Sequence, residues 1–217
     1  MGQKKLKNAR VLVVGAGGLG APALQYLAAA GVGSITVIDD DRVSLSNLQR
    51  QIIHGSADIG HAKVESAANG ITAINPHVET ICHDERLDPD NALERVSGHT
   101  VALDGSDNFQ TRYLLADICA QAQVPLVTAA VNRFDGSITT LKPWIDDNPG
   151  YRDLFPNQPE DGLLPSCSEA GVLGVMTGLM GTFQALEAIK LITGAGDCLI
   201  GKLMMVDALS MRVETIR

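Results

Sequence analysis

The sequence predicts an α/β fold of three layers: a mostly parallel sheet, then antiparallel strands and a long Gly-rich helix. Three observations predict it. The short β-branched run Val11-Leu12-Val13-Val14 turns at Gly15 into an Ala-rich helical stretch, Leu19 to Ala30, which Gly31 stops. Ser34 to Ile38 then reads as a second strand ending in Asp39-Asp40-Asp41. A strand, a Gly turn, a helix and a strand in so short a span make a βαβ unit, and its right-handed crossover implies parallel pairing. Finally, the corner itself is Gly15-Ala16-Gly17-Gly18-Leu19-Gly20, a GxGxxG loop in its expected context, so the fold is Rossmann-like.

The remaining elements follow in order. The polar segment Arg42 to Ile59 lacks periodicity, and its place beyond the end of the second strand puts it beside the ligand crevice of such folds. Ala62 to Ile74 is helical and closed by Asn75-Pro76; Val78 to Cys82 is a third strand and Asp90 to Val96 a short helix. Thr100 to Leu103 is a strand leading into the corner Asp104-Gly105-Ser106-Asp107-Asn108, followed by a helix over Thr111 to Ala122. Leu126 to Ala130 and Ile138 to Leu141 are strands, and the Pro-rich stretch Lys142 to Ser168 is a long loop that calls for a functional explanation. Gly171 to Thr193 is a long helix with Gly174, Gly178 and Gly181 at three- and four-residue spacing, a pattern that admits close approach of another element, including one from a second subunit. Leu203 to Val206 and Met211 to Thr215 close the chain as strands. With 217 residues and 45% hydrophobic content, the chain reads as one domain. Residues 1–130 supply nucleotide-binding βα units; residues 131–217 supply a crossover loop, the long helix and the last strands.

Composition narrows the partners. The net charge is −8 and no Lys/Arg block accompanies an aromatic platform, so nucleic acid is a poor partner. The basic N-terminus lacks the apolar stretch and cleavage site of a secretory signal. The most apolar stretch, Ala170 to Ile192, carries Glu187 and Lys190 and reads as a buried helix rather than a membrane span. The cytoplasm is the expected location. Four cysteines form no CxxC pair, and five histidines form no ligand grouping. Cys82, Cys119 and Cys198 read as core residues.

The site residues follow from charge and spacing. Gly15 permits the turn, Gly17 and Gly18 let phosphates approach the backbone, and Gly20 allows close helix packing; the helix N-terminus then attracts anions. Asp39 is placed to accept from ribose hydroxyls, which NAD and ATP both offer. Asp40 and Asp41 repeat its charge, which suits the Mg²⁺ that accompanies ATP, or else a solvated acidic turn. Arg50 and Lys63 flank the crevice and would stabilise charge on phosphoryl oxygens, with Asn47 and Gln51 adding neutral hydrogen bonds. Alone, Lys63 could equally be a surface lysine. Asp107, from a second βα corner, is placed to hold Mg²⁺ or orient phosphates beside Asn108; helix capping is the competing role for this corner, and Asp104 is the weaker metal candidate. Cys167, before the Gly-rich helix, is a candidate nucleophile or a buried inert thiol.

Together these stretches resemble the E1-like activating family, in the bacterial branch that adenylates ubiquitin-like sulfur-carrier proteins for molybdopterin and thiamin synthesis. The resemblance runs through Val13 to Gly20, Gly31-Val32-Gly33, Ser44 to Gln51, Gly60 to Ala67 and Ile74 to His77. It continues through Asp104 to Asn108, Gly136-Ser137-Ile138, Glu169 to Gly174 and Gly181 to Lys190. It implies adenylation of the C-terminal Gly-Gly carboxylate of a carrier protein by a homodimer that uses ATP and Mg²⁺. It further implies that Asp39 holds the ribose, that Asn47, Arg50 and Lys63 contact the phosphates, and that Asp107 serves Mg²⁺. In the thiamin branch the residue matching Cys167 takes part in sulfur transfer; in the molybdopterin branch it is dispensable.

Departures from the family pattern shape the expectation. Family members begin with an Arg-containing segment ahead of the match at Gly2 to Leu6, and this chain starts at Met1, which lowers the rate the resemblance implies. Gly150-Tyr151-Arg152-Asp153 stands where a zinc-binding CxxC would fall, so no zinc site is expected and the loop must be held by packing. Two other readings remain distinct. A catalytically silent subunit would bind ATP without pyrophosphate exchange. An NAD(P)-dependent oxidoreductase would leave the SNLQRQ run and Lys63 without a task.

Overall fold

Strand β1 (Arg10–Val14) sits where the sheet changes direction, and the rest of the molecule is built around it. A computed structural model describes residues 1–158 and 171–217. Eight strands form one sheet in the order β3 (Glu79–His83), β2 (Ser34–Ile38), β1, β4 (Val101–Asp104), β5 (Leu126–Asn132), β6 (Asp135–Leu141), β7 (Leu203–Asp207) and β8 (Arg212–Ile216). The first five in that order pair in parallel, and β5 to β8 pair antiparallel, β5–β6 and β7–β8 as hairpins and β6–β7 across the long connection between residues 142 and 202. The chain runs outward from β1 to β2 and β3 on one side, then returns to β4 and β5 on the other. The carboxyl ends of β1 and β4 therefore flank a topological switch point, where such sheets open a crevice.

Alternation along β1 divides the interior into two cores. Val11 and Val13 pack with α2 (Gly20–Ala29), α3 (Lys63–Ile74) and the long C-terminal helix Gly174–Thr193. Leu12 and Val14 face the opposite layer, α4 (Ala92–Val96), α5 (Phe109–Ala122) and the short α6 (Tyr151–Leu154). Both faces of the inner parallel strands β1, β2 and β4 are covered, and all of their residues but Arg10 are buried. The 20-residue helix Gly174–Thr193, α7, is long and apolar enough to cross a membrane by length alone, but half of its most apolar window is buried against the protein. Met176, Met180, Ala185 and Ala188 supply the buried face, and Gln184 donates to Asp104 O at 2.7 Å.

Two of the three α7 glycines permit contacts within the chain. A Cβ on Gly181 would stand 2.1 Å from Leu19 O, and one on Gly174 2.2 Å from Gln49 O. Gly178 faces open space.

Several elements differ from the sequence expectation for identifiable reasons. The N-terminus forms a helix, α1 (Gly2–Asn8), that carries a single buried residue, Leu6, and so shows no apolar periodicity. Tertiary contacts hold it: Lys5 Nζ donates to Thr193 O (2.7 Å) and Gln3 Nε2 to Ala30 O (3.0 Å). Cys82 is exposed on the edge strand β3, because no further strand covers it; Cys119 is buried and Cys198 half-buried. Strands β5 and β6 extend to a tight hairpin over Asn132–Asp135 rather than stopping short of it. The segment around Gly150 to Asp153 is held by packing. Tyr151 meets Tyr113 edge-on at 5.0 Å, and Arg152 pairs with Asp117 while stacking over Tyr113.

His99 ties the layers together, its Nε2 lying 2.9 Å from Thr36 Oγ1 on β2 and its Nδ1 3.1 Å from Val96 O. Burial lowers its pKa below the ordinary 6.5. The unfolded chain then takes up a proton before the folded one does, so stability is lost as pH falls through 6.5 toward the lowered folded value. Melting temperatures should drop across that window, and the drop should be shallower in His99→Gln; parallel curves for the two proteins would contradict the assignment.

Candidate active site

The loops after β1, β2 and β4 meet at the switch point and enclose a crevice of about 1080 Å³. Gly15, Gly17 and Gly18 from the first loop line it, with Asp39, Asp40 and Asp41 from the second and Ser106, Asp107 and Asn108 from the third. Arg50, Gln51 and Lys63 close the side nearest α3. Five chain segments far apart in sequence thus converge on one volume. A second cavity of about 160 Å³ lies behind α5 and α6, remote from the Gly loop.

The Gly loop is shaped by close backbone contacts. Gly15 has φ of +94° and lies against Gly105, where a Cβ would meet the Gly105 carbonyl oxygen at 2.7 Å. Gly20 sits behind the crevice rather than in its lining; its Cβ would fall 1.9 Å from Gly15 O, so it closes the loop on itself. Gly17 has room for a Cβ, with Gln51 Nε2 the nearest atom at 3.6 Å. Its lack of a side chain serves the open crevice and not the packing.

Asp39 anchors the loop to the second strand. Ala16 N–H donates to its Oδ2 (2.8 Å) and Asp41 N–H to its Oδ1 (2.9 Å). Burial raises its pKa, while the nearby Lys63 ammonium and the two amides pull it back. Each oxygen keeps a further lone pair for a donor from the crevice. Lys63 is buried, at 5% exposure, and not a surface lysine. Its Nζ lies 2.7 Å from Asp41 Oδ2, its one recorded acceptor among the described residues, and the ammonium carries three protons. Arg50 is half-buried and steadied by a 3.2 Å bond from Nη1 to Ser46 O. Gln51 is buried, and among the described residues its Oε1 accepts no hydrogen bond. An orphaned acceptor in a crevice wall is costly unless a donor arrives there.

The third loop separates two roles that the sequence left open. Asp104 is fully buried and accepts from Ser106 N–H (3.0 Å), Ser106 Oγ (2.6 Å) and Thr128 Oγ1 (2.7 Å), with Arg112 Nε 3.2 Å from its Oδ2. It braces the corner and offers nothing to a metal. Asp107 is exposed on the rim, free of that network. Asn108 lines the crevice and also caps α5, its Oδ1 accepting from Thr111 N–H at 2.8 Å.

Asn47, like Gly20, is not among the residues that line the crevice. Its Oδ1 accepts from Ser44 N–H at 3.3 Å and closes a one-turn 3₁₀ helix over Leu45–Asn47. Cys167 lies outside the described residues. Other lining residues were not singled out in the sequence: Arg112 on the first turn of α5, Thr177 on α7, and Arg133 on the β5–β6 hairpin. For Arg112 a signal existed, since a residue four beyond the Asn108 cap lies over the same helix end.

The carboxylates suit a hard cation. Oxygens of Asp39, Asp40 and Asp41 come within 4.8 Å of one another, and such ligands are those that Mg²⁺ takes. A Gly-lined cradle, a helix N-terminus and two cations beside them suit phosphate groups.

Comparison with known proteins agrees with this geometry. MoeZ of Mycobacterium tuberculosis, named a probable adenylyltransferase/sulfurtransferase, is 51% identical over 219 residues, covering 99% of this chain and 55% of MoeZ. The SAMP-activating enzyme E1 of Haloferax volcanii is 51% identical over 215 residues, covering 99% of this chain and 78% of that protein. The chain thus spans about half the length of MoeZ. The crystal structure of E. coli MccB with ATP superposes with a TM-score of 0.87 at 20% identity, covering all of this chain and 65% of that one, a likeness of fold. The pattern of one family, the ThiF family, matches residues 1–217 in full, and the chain belongs to that family.

Proposed function

We propose that the chain adenylates the C-terminal carboxylate of a ubiquitin-like sulfur-carrier protein with ATP, as the first step of sulfur insertion into a cofactor. The observation that carries this reading is the convergence of Arg50, Lys63 and the Gly loop on one side of the crevice with Asp107 on its rim. In the reaction a carboxylate oxygen attacks the α-phosphorus, the bond to the bridging oxygen breaks, and pyrophosphate leaves with the electron pair. Negative charge grows on the phosphoryl oxygens, and fixed cations stabilise it without a proton transfer.

The roles follow from position. Gly17 and Gly18 admit the phosphates to the backbone. Asp39 accepts from the ribose hydroxyls with its remaining lone pairs, and Gln51 Oε1 meets a donor of the nucleoside. Lys63 bridges Asp41 and the phosphates, and Arg50 balances the leaving group. Asp107 would hold Mg²⁺, which neutralises phosphate charge when bound. The crevice continues along the β5–β6 hairpin past Asn132, Arg133 and Ser137 to Met205, and that track suits an extended chain terminus. A Gly-Gly ending brings no side chain to the crevice. The exposed Val175, Leu179 and Leu186 share one face of α7, which suits burial in a homodimer. The reading places the reaction in the cytoplasm, where ATP is at hand.

Intact-mass measurement tests this. A Gly-Gly-ending carrier protein incubated with the chain, ATP and Mg²⁺ should gain one adenylyl group, and a carrier lacking the terminal Gly-Gly should gain none. ATP binding with no adenylated carrier would favour a silent subunit, and NAD binding in place of ATP would favour an oxidoreductase.

A further inference from the structure

His54 is buried beneath the Gly loop, and none of the roles assigned so far uses it. Its Nε2 lies 2.9 Å from Ala16 O and its Nδ1 2.7 Å from Ser66 Oγ on α3. A carbonyl oxygen only accepts, so Nε2 carries the proton and donates to Ala16. Burial favours the neutral ring, and Nδ1 then accepts from the Ser66 hydroxyl, which sets the tautomer from the far side.

The consequence lies in the peptide that Ala16 and Gly17 share. A trans peptide is planar, so the Ala16 carbonyl and the Gly17 N–H point in opposite directions within one rigid unit. A carbonyl drawn back toward the His54 ring turns the Gly17 N–H away from that ring, on the loop that lines the crevice. The Ala16 N–H is held separately by Asp39 at 2.8 Å. Ala16, fully buried and the one residue of the loop's tip that is not glycine before Leu19, is therefore clamped at both of its backbone groups. Without the His54 bond that peptide can rotate about Ala16 ψ and Gly17 φ, since the glycine on its C-terminal side offers little steric resistance.

We propose that His54 is a positioning residue that sets the Gly17 N–H toward the phosphates of the nucleotide, acting through the Ala16 carbonyl. This rests on the ATP reading above. It predicts a selective effect: the phosphates lose a donor while the nucleoside keeps all of its contacts.

The test is calorimetric binding of ATP and of adenosine to the whole chain, with melting temperature recorded for each variant. In His54→Leu the ATP dissociation constant should rise about fivefold, the loss expected for one hydrogen bond, with adenosine binding unchanged. His54→Gln should restore ATP binding to within about twofold, because its amide reaches as far as Nε2 and donates to the same carbonyl. If His54→Leu does not fold, His54→Asn serves in its place, since the shorter amide keeps the Ser66 contact and cannot reach Ala16. Unchanged ATP binding in a folded His54→Leu or His54→Asn would overturn the inference. So would equal losses for ATP and adenosine, or a failure of His54→Gln to restore ATP binding. A wild-type chain that binds adenosine and no ATP, or binds neither, overturns the ATP reading and this inference with it.

Discussion

Replacing Arg50 by alanine should slow carrier-dependent ATP–pyrophosphate exchange by about 10²–10³-fold, the loss typical of one preorganised charge donor at a reacting centre. The side chain is half-buried at the crevice wall, and its recorded hydrogen bond is to Ser46 O, one turn away. Its removal therefore opens no core cavity, and the melting temperature should move little. Arg50→Lys keeps the charge but loses the planar fork, so it should recover part of the rate and not all of it. The loss should fall mainly on kcat, because in the proposed reaction the guanidinium would meet charge that develops as pyrophosphate departs. A large rise in KM with kcat intact would instead make Arg50 a residue that binds ground state and transition state alike.

Gly20→Ala and Gly17→Ala should fail in opposite ways. The Gly20 Cβ would overlap the Gly15 carbonyl oxygen at 1.9 Å, and a backbone atom at a strand end cannot swing aside as a side-chain tip can. Overpacking of this kind costs about 3 kcal/mol or more. For a chain of this length that lowers the melting temperature by roughly 6–12 °C. Gly17 has ordinary van der Waals room, so Gly17→Ala should melt near the wild type. Its methyl group would stand at the crevice and keep phosphates from the backbone, so ATP binding should be lost while the fold persists. Thermal melts and nucleotide titrations on the two variants separate the glycine that builds the loop from the glycine that serves the ligand. Equal melting temperatures would contradict the division.

The parallel half of the fold was legible because its inner strands are buried on both faces and its corners carry glycine. Val11 to Val14 and Ser34 to Ile38 show the first feature, and Gly15 the second. The crevice was legible from residue types that the fold itself does not require, such as Arg50 and Asp107. Local pattern ended where tertiary contacts took over. Helix α1 hides because docking of Lys5 and Gln3, and not an apolar stripe, holds it. Lys63 gave no sign of its burial, since nothing in its neighbours distinguishes a lysine facing Asp41 from one facing solvent. Asn47 suited a phosphate contact by type, and its Oδ1 also closes a turn. Asp104 and Asp107 share a corner and differ only in depth: one is enclosed by Ser106, Thr128 and Arg112, the other left on the rim. Three residues of sequence could not divide those roles; a hydrogen-bond network does.

The central claim is that this crevice activates a carboxylate as an adenylate. ATP–pyrophosphate exchange with the purified chain, with and without small Gly-Gly-ending carrier proteins, tests it most directly, because label enters ATP only if the adenylate forms reversibly. Exchange that depends on the carrier and is abolished in Asp107→Ala is the predicted result. ATP binding without exchange, for every Gly-Gly-ending carrier supplied, would contradict it.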